Sequence, residues 1–201
     1  MKNKLFLFII SSTLLFTACD DNNNNGPSNF SGEFVTATDI QAGENGFTFF
    51  NLRSGAVVAD SNSTNWDLGF KDAGLEIFII TNSGSRGPGD GGGILLDVAF
   101  NDVSEVPADE DFVVETDSRF SIDPNPGGWW IYTATSQQPL HAVLPKTPHT
   151  ILVRNADGNS YSKIEILSYY QGNPDTSTPD FANFQTRPIS GYFSFNYEVI
   201  N

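Results

Sequence analysis

Short runs of β-forming residues, separated by turn residues, recur along most of the chain and restrict its fold more than any other feature. In the last run, residues 192–200, the side chains of Phe193, Phe195, Tyr197 and Val199 alternate with polar ones, which is typical of a strand with one buried face. The pattern predicts an all-β fold of antiparallel sheets packed face to face, a β-sandwich-like domain with little helix. The predicted strands are residues 33–38, 46–52, 56–59, 66–71, 75–82, 94–100, 112–115, 129–134, 140–144, 150–154, 160–170 and 192–200.

The first 18 residues have the composition of a bacterial export signal and are not expected to belong to the fold. Lys2 and Lys4 make the start positive, residues 5–16 are largely apolar, and small residues precede Cys19. Cys19 stands where a lipoprotein signal carries the cysteine that becomes acylated, and it is the chain's only cysteine. We therefore predict a signal peptide over residues 1–18 and lipidation of Cys19; the alternative is an ordinary secretory peptide that is cut at about the same place.

The remainder of the chain divides into a tether and one domain. Residues 19–29 read CDDNNNNGPSN, a polar low-complexity segment that predicts a flexible tether. Residues 30–201 contain no further linker and no internal repeat, so we predict a single β domain there. The chain has 24 acidic and 10 basic residues, which argues against nucleic acid as a partner and against docking on anionic lipid headgroups. Contact with a membrane is therefore predicted only through the lipid anchor.

The most unusual segment is a glycine-rich loop at residues 84–93, directly after a predicted strand. Residues 87–92 read GPGDGG, which formally matches the dinucleotide-binding pattern G-x-G-x-x-G. A strand pattern rather than a helix follows the loop, and Asp90 would repel a phosphate group. We therefore predict a structural connection whose glycines, Gly84 and Gly92 among them, adopt positive φ angles.

No motif for nucleophilic or zinc-dependent catalysis occurs, and we predict that the protein is not an enzyme. The two histidines, His141 and His149, are candidate ligands of a metal or of haem iron, because neutral imidazole coordinates iron. The alternative is that both are ordinary surface or loop histidines. They stand eight residues apart, and nothing in that spacing requires them to meet.

Trp129, Trp130 and Tyr132 are candidates for a ligand platform. Adjacent residues of a strand point to opposite faces, so one tryptophan of the pair is expected in the core and the other can be exposed. Exposed aromatic rings would suit a flat ligand or a protein partner. The alternative is that these side chains form a second buried face.

Six short segments occur in a fixed order over most of the chain after the signal peptide: residues 65–67 (NWD), 82–92 (NSGSRGPGDGG), 106–107 (VP), 127–129 (GGW), 153–159 (VRNADGN) and 193–197 (FSFNY). Together they resemble the HmuY family of Bacteroidetes haem-binding lipoproteins. The acidic pair after Cys19 also resembles the export signals that send lipoproteins of such bacteria to the outer face of the outer membrane.

The resemblance implies a lipid-anchored, surface-exposed β domain of the outer membrane that binds haem or a related tetrapyrrole. It also implies delivery of haem to a TonB-dependent outer-membrane receptor. The alternative is that the same fold binds a non-haem ligand, or only a protein partner such as that receptor.

The family's axial ligands do not carry over to this chain. One family histidine lies five residues after the tryptophan of G-G-W, where this chain has Ala134, and the other precedes G-G-W, where residues 112–126 contain no histidine. Related members are thought to use methionine, but Met1 is the only methionine here. Any haem coordination would therefore come from His141 and His149, or from one of them alone.

Overall fold

The computed structural model describes residues 29–74 and 76–200, most of which lie in short strands or the turns between them. The predicted signal peptide, Cys19 and all but the last residue of the tether lie outside the described residues. The strands are β1 Val35–Gln41, β2 Thr48–Asn51, β3 Ala56–Val58, β4 Leu68–Asp72, β5 Ile77–Thr81, β6 Gly92–Leu96, β7 Trp130–Tyr132, β8 Val143–Pro145, β9 Thr150–Arg154, β10 Tyr161–Tyr170 and β11 Ser190–Ile200. Within these described residues, helical structure is limited to two 3₁₀ turns, Phe100–Asp102 and Asp109–Asp111, and to one turn of α-helix, α1 Pro179–Ala182.

The strands form two sheets and a hairpin, and all of these strand pairs are antiparallel. The large sheet has the order β1-β11-β10-β9-β6, and the small sheet has the order β3-β2-β4-β5. Strands β7 and β8 pair only with each other and form the β7–β8 hairpin. The prediction of an all-β, antiparallel, sandwich-like fold with little helix is confirmed. None of the described helices is long and apolar enough to cross a membrane.

Aromatic side chains from the two sheets make the core. The ring of Phe70 in the small sheet lies 4.6 Å from that of Phe193 in the large sheet, and Phe50 lies 5.4 Å from Phe195. Trp129, just before β7, packs 5.4 Å from the Phe193 ring. Each such buried side chain contributes roughly 1.5–3 kcal/mol to folding. The core therefore fixes the base of the β7–β8 hairpin against the large sheet.

The predicted strand at residues 112–115 is not a strand of either sheet. Val113 alone exchanges two backbone hydrogen bonds with Gly93, each 3.0 Å long. Two residues further on, the buried carboxylate of Glu115 accepts a hydrogen bond from the Thr81 N–H at 3.1 Å. Side-chain contacts therefore hold this segment where a backbone ladder was expected.

The glycine-rich loop is wrapped around one buried side chain, that of Asn82. Its Nδ2 donates to the Trp66 carbonyl oxygen at 2.8 Å, and its Oδ1 accepts from the Gly89 N–H at 2.9 Å. The Asn82 carbonyl oxygen accepts from the Gly91 N–H at 3.0 Å. No phosphate-binding helix follows, since the loop leads into β6. The loop is therefore a structural connection between β5 and β6.

Close approach of the backbone, more than positive φ, explains the glycines of this loop. A Cβ at Gly87 would lie 2.2 Å from Asn82 Oδ1, closer than real Cβ atoms come to other atoms. Gly84 has a φ of +54°, as predicted. Gly92 does not have a positive φ, so that part of the prediction is wrong; a Cβ there would lie 3.0 Å from the Cβ of Phe112.

A buried ion pair fastens the start of the domain to the large sheet. Lys163 Nζ lies 3.3 Å from Glu198 Oε2 and donates to the carbonyl oxygens of Phe100 and Val103 at 3.2 and 3.0 Å. The Glu198 carboxylate also accepts hydrogen bonds from the backbone N–H and hydroxyl of Ser31. Because both charges are hydrogen-bonded, their removal from water is compensated. The chain thus enters the domain at a fixed point, directly after the predicted tether.

Candidate functional site

The loop of the β7–β8 hairpin is held together by the hydroxyl group of Thr133. The Thr133 Oγ1 donates to the Pro139 carbonyl oxygen at 2.6 Å and accepts from the Ala142 N–H at 2.8 Å. The Thr133 N–H donates to the Ala142 carbonyl oxygen at 3.0 Å. Thr133 is 2% exposed, so these bonds are shielded from water. The loop is consequently a defined support for the side chains at its ends.

Two non-glycine residues of this loop have left-handed backbone conformations. Ala134 has a φ of +47° and His141 a φ of +51°, and the His141 N–H donates to the Ala134 carbonyl oxygen at 2.8 Å. Each such residue carries on the order of 1–3 kcal/mol of strain, and strain of this kind concentrates at functional sites. The strained pair presents the His141 side chain at the surface, where the residue is exposed.

Three exposed aromatic side chains meet at this end of the hairpin. Tyr132 Oη lies 2.8 Å from His141 Nδ1, and the Phe184 ring lies 6.0 Å from the His141 ring. Tyr132 is 49% exposed and Phe184 is 59% exposed. We call Tyr132, His141 and Phe184 the aromatic patch. Large aromatic side chains grouped on a surface mark a place where a ligand or a partner binds.

Arg187, which follows α1 in the chain, connects the hairpin loop to α1 and to Phe184. Its Nε donates to the Phe181 carbonyl oxygen at 2.8 Å, Nη1 to that of His141 at 2.9 Å, and Nη2 to that of Leu140 at 2.8 Å. The guanidinium carbon lies 4.7 Å from the centre of the Phe184 ring. These contacts hold Phe184 beside His141, although 43 residues separate the two in the chain.

The hydrogen bond between His141 Nδ1 and Tyr132 Oη leaves the other ring nitrogen, Nε2, without a partner among the described residues. In the tautomer whose Nδ1–H donates to the Tyr132 oxygen, Nε2 carries a lone pair that no protein group uses. This is the arrangement of metal-binding histidines, whose second nitrogen donates to an oxygen and so fixes the ring. The aromatic patch can therefore offer one oriented imidazole nitrogen to a metal centre.

Comparison with known proteins decides the family. A family model described as HmuY protein matches residues 43–183. The chain belongs to the HmuY family. HmuY proteins form a haem-associated family of binding lipoproteins. The resemblance of the sequence motifs to this family is thereby confirmed.

A solved structure with the HmuY name is also similar to the chain. It is the crystal structure of an apo HmuY analog from Tannerella forsythia, with 18% sequence identity and a TM-score of 0.48. The similarity covers 84% of this chain and 97% of the analog. No curated protein matches the chain.

The HmuY match covers only part of the aromatic patch. Tyr132 and His141 lie within the matched residues 43–183. Phe184 and the neighbouring Arg187 lie just beyond the end of the match. Sequence reasoning singled out Tyr132 and His141 separately, but it did not place them together. It missed Phe184 and Arg187, because no local pattern marks residues that meet the hairpin only in the folded chain.

Trp129 and Trp130 do not form the predicted platform, since both are buried, at 1% and 2% exposure. The Trp129 Nε1–H donates to the Ile77 carbonyl oxygen and the Trp130 Nε1–H to that of Pro124, both at 3.0 Å. Both side chains belong to the core because the hairpin is packed against the sheet on one side and the preceding loop on the other. Of the three predicted residues, Tyr132 alone is exposed.

His149 does not fit the predicted role of a haem-iron ligand, because its side chain is only 7% exposed. It lines a small space of about 10 Å³ beside Trp129 and Ile164, room for one water molecule at most. Its Nε2 lies 2.8 Å from Asp97 Oδ1, but neither ring nitrogen makes a hydrogen bond with the described residues. The structure does not bring His149 to the aromatic patch.

The described residues contain no cluster of three or more His, Cys, Asp or Glu side chains that could hold a metal ion. A bare ion at His141 would therefore receive one histidine nitrogen and little else from the protein. A porphyrin supplies four equatorial nitrogens of its own, so a single axial imidazole is sufficient for haem iron. The donor set of the aromatic patch thus fits haem better than a free metal ion.

Proposed function

We propose that this HmuY protein is a surface lipoprotein that binds haem, or a related tetrapyrrole, on the aromatic patch. His141 would be the one axial ligand that the protein supplies, through Nε2. The observation that carries the proposal is the exposed His141 ring, held by Tyr132 at 2.8 Å and flanked by Phe184. The association of the family with haem points in the same direction.

The shape of the site supports a ligand that is taken up and passed on. Between the hairpin loop and α1 lies a shallow depression of about 280 Å³, lined by Gln138, Pro139, Thr176, Ser177, Thr178 and Ala182 and by none of the three patch residues. Sites that enclose a ligand of drug size are typically about 300–1,000 Å³. A tetrapyrrole on the aromatic patch would therefore keep one face and one edge accessible.

An accessible face suits transfer to a second protein. We propose that the receiving protein is a TonB-dependent receptor of the outer membrane, as the family resemblance implies. Acylation of Cys19 would hold the protein at the outer face of that membrane, and the Asn-rich tether would give it reach. Accordingly, the lipid anchor is its only proposed contact with the bilayer.

Titration of the apo-protein with haemin tests the proposal, with the Soret band as the readout. The wild type should shift the band and retain it through gel filtration. His141→Ala should lose the shift, whereas His149→Ala should keep it, because His149 is largely buried and faces Asp97. The second variant is a matched control, since both remove one imidazole.

Two results would contradict the proposal. An unchanged spectrum in His141→Ala would remove His141 as the ligand. No Soret shift in the wild type, together with capture of an outer-membrane receptor by the same preparation, would instead favour a lipoprotein that binds only a protein partner.

A further inference from the structure

Arg187 is a cation to which the described residues offer no acidic partner, in a strongly acidic protein. The chain has 24 acidic and 10 basic residues. The ion pairs of the described residues involve Arg53, Arg86, Lys146, His149, Arg154 and Lys163, and Arg187 takes part in none of them. Its charge is therefore left for a group that the protein itself does not provide.

The Arg187 side chain is already ordered for such a group. Three backbone carbonyl oxygens occupy three of its five N–H groups. The Tyr170 hydroxyl is a further hydrogen-bond partner of the guanidinium group, which leaves one N–H for a ligand. The ring faces of Phe181 and Phe184 lie 4.9 and 4.7 Å from the guanidinium carbon and restrict its motion. An anion bound here would meet a preorganised, partly dehydrated cation, which strengthens the interaction.

Arg187 places its positive charge at the edge of the aromatic patch. Nη1 is 2.9 Å from the carbonyl oxygen of His141, and the guanidinium stacks on Phe184, so the cation borders the surface on which a flat ligand would lie. A planar ligand with an acidic group at its edge matches this arrangement. The positive charge and one charge-assisted hydrogen bond from the remaining N–H would hold a carboxylate there.

We propose that Arg187 binds a carboxylate of the ligand, and that the site therefore selects planar aromatic acids. This inference rests on the proposed function for the place of the flat ring. For a tetrapyrrole it means that free acid side chains are required, and that the corresponding esters bind weakly. A local cation is also needed because the net charge of −14 repels an anionic ligand at long range.

The test compares a metal-free porphyrin diacid, protoporphyrin IX, with its dimethyl ester on the mature wild-type protein, by fluorescence titration. Without iron, His141 cannot contribute a coordinate bond, so ring stacking and the acid groups determine the affinity. The ester should bind at least about tenfold more weakly, which is the effect of a loss of about 1.4 kcal/mol. Higher salt should reduce the difference, because it screens the ion pair.

Arg187→Gln should remove the preference for the acid, and Arg187→Lys should retain only part of it, since lysine keeps the charge but loses the planar group held between Phe181 and Phe184. Arg119→Gln is the matched control. Arg119 is exposed and forms none of the ion pairs of the described residues. Its replacement by glutamine changes the net charge by the same amount as Arg187→Gln. The Arg119→Gln variant should therefore prefer the acid over the ester as strongly as the wild type does. If Arg187→Gln fails to fold, the acid–ester comparison on the wild type decides alone.

The outcomes separate this inference from the proposed function. Equal binding of acid and ester, with a haem spectrum that depends on His141, would overturn the role of Arg187 and leave the proposed function intact. Selective binding of the metal-free acid, with no coordination of haem iron, would support Arg187 and reject His141 as the ligand. Absence of binding by any porphyrin would reject both.

Discussion

His141 donates its backbone N–H to the carbonyl oxygen of Ala134, 2.8 Å away, across the loop of the β7–β8 hairpin. Ala134 occupies the position at which the HmuY resemblance places an axial histidine. The only exposed histidine of the described residues therefore lies directly beside that position, although seven residues separate the two in the chain. This relationship could not be read from the spacing of the motif, because the loop brings the two strand ends together.

Replacement of Tyr132 by phenylalanine should weaken haem binding without weakening the fold. The change removes the oxygen that is hydrogen-bonded to His141 Nδ1, and loss of such a partner typically reduces metal affinity about 10- to 100-fold. Because Tyr132 is exposed, the free energy of unfolding should change by about 0.5 kcal/mol or less. Soret titration and thermal unfolding of the same preparation measure the two effects. A large fall in melting temperature would indicate a structural role for Tyr132.

Replacement of Ala134 by glycine should stabilise the protein slightly, by about 0.5 kcal/mol. Glycine adopts the φ of +47° without the strain that alanine carries, although it also gains freedom in the unfolded chain. Denaturant unfolding measures the difference. Gly55→Ala is the reverse control: its φ is +65°, so alanine should destabilise the protein there. Destabilisation by Ala134→Gly would mean that the methyl group makes a contact worth more than the strain.

Replacement of Gly87 by alanine should destabilise the protein by about 2–3 kcal/mol, because its Cβ would clash with Asn82 Oδ1 at 2.2 Å. Gly46→Ala is the matched control, since nothing lies within 4 Å of a Cβ there and its φ is not positive. It should leave stability almost unchanged. Chemical denaturation of both variants gives the comparison. Normal stability with lost ligand binding in Gly87→Ala would reopen a binding role for the glycine-rich loop.

Stability should fall in acid, partly because of Glu198. Burial alone would raise the pKa of this carboxyl group, but hydrogen bonds from Ser31 and Gly32 and the charge of Lys163 outweigh burial and lower the pKa. A carboxyl group with a lowered pKa stabilises the fold above its unfolded pKa, about 4.3, and loses this contribution as the pH falls through its folded pKa. Wild-type stability should therefore decline below about pH 5.

Glu198→Gln isolates this contribution. At pH 7 it should cost about 3 kcal/mol or more, because the buried charge of Lys163 loses its partner. The difference from the wild type should shrink at low pH, where Glu198 is protonated in both the folded and the unfolded chain. Urea unfolding at several pH values measures it. A constant difference at all pH values would show that shape, rather than charge, is responsible.

Asp67→Asn should show the opposite pH dependence of stability. Burial is the largest influence on Asp67 and raises its pKa, despite hydrogen bonds from the N–H groups of Ala156 and Leu52. A carboxyl group with a raised pKa contributes less to stability as the pH rises through that value. The substitution should therefore lower the free energy of unfolding less at pH 7 than at low pH. Glu198→Gln should show the opposite trend.

Strand positions were largely predictable, since alternation of side chains and turn residues are local properties. The error at residues 112–115 has a clear cause, because the β-like pattern there ends in Glu115, whose buried carboxylate binds Thr81. The exposure of the two tryptophans of the G-G-W-W segment was harder to predict. Local alternation predicts opposite faces for Trp129 and Trp130, but it does not reveal that protein covers both faces.

The sequence by itself determined the all-β class, the antiparallel character, the family and the identity of two residues of the aromatic patch, Tyr132 and His141. All of these follow from local patterns and from ordered motifs. Tertiary structure alone decided that His141 is exposed while His149 is largely buried, that Phe184 completes the patch, and that Arg187 lies beside it. The reason is physical: exposure and side-chain contact depend on how distant segments pack, and packing is a property of the whole chain.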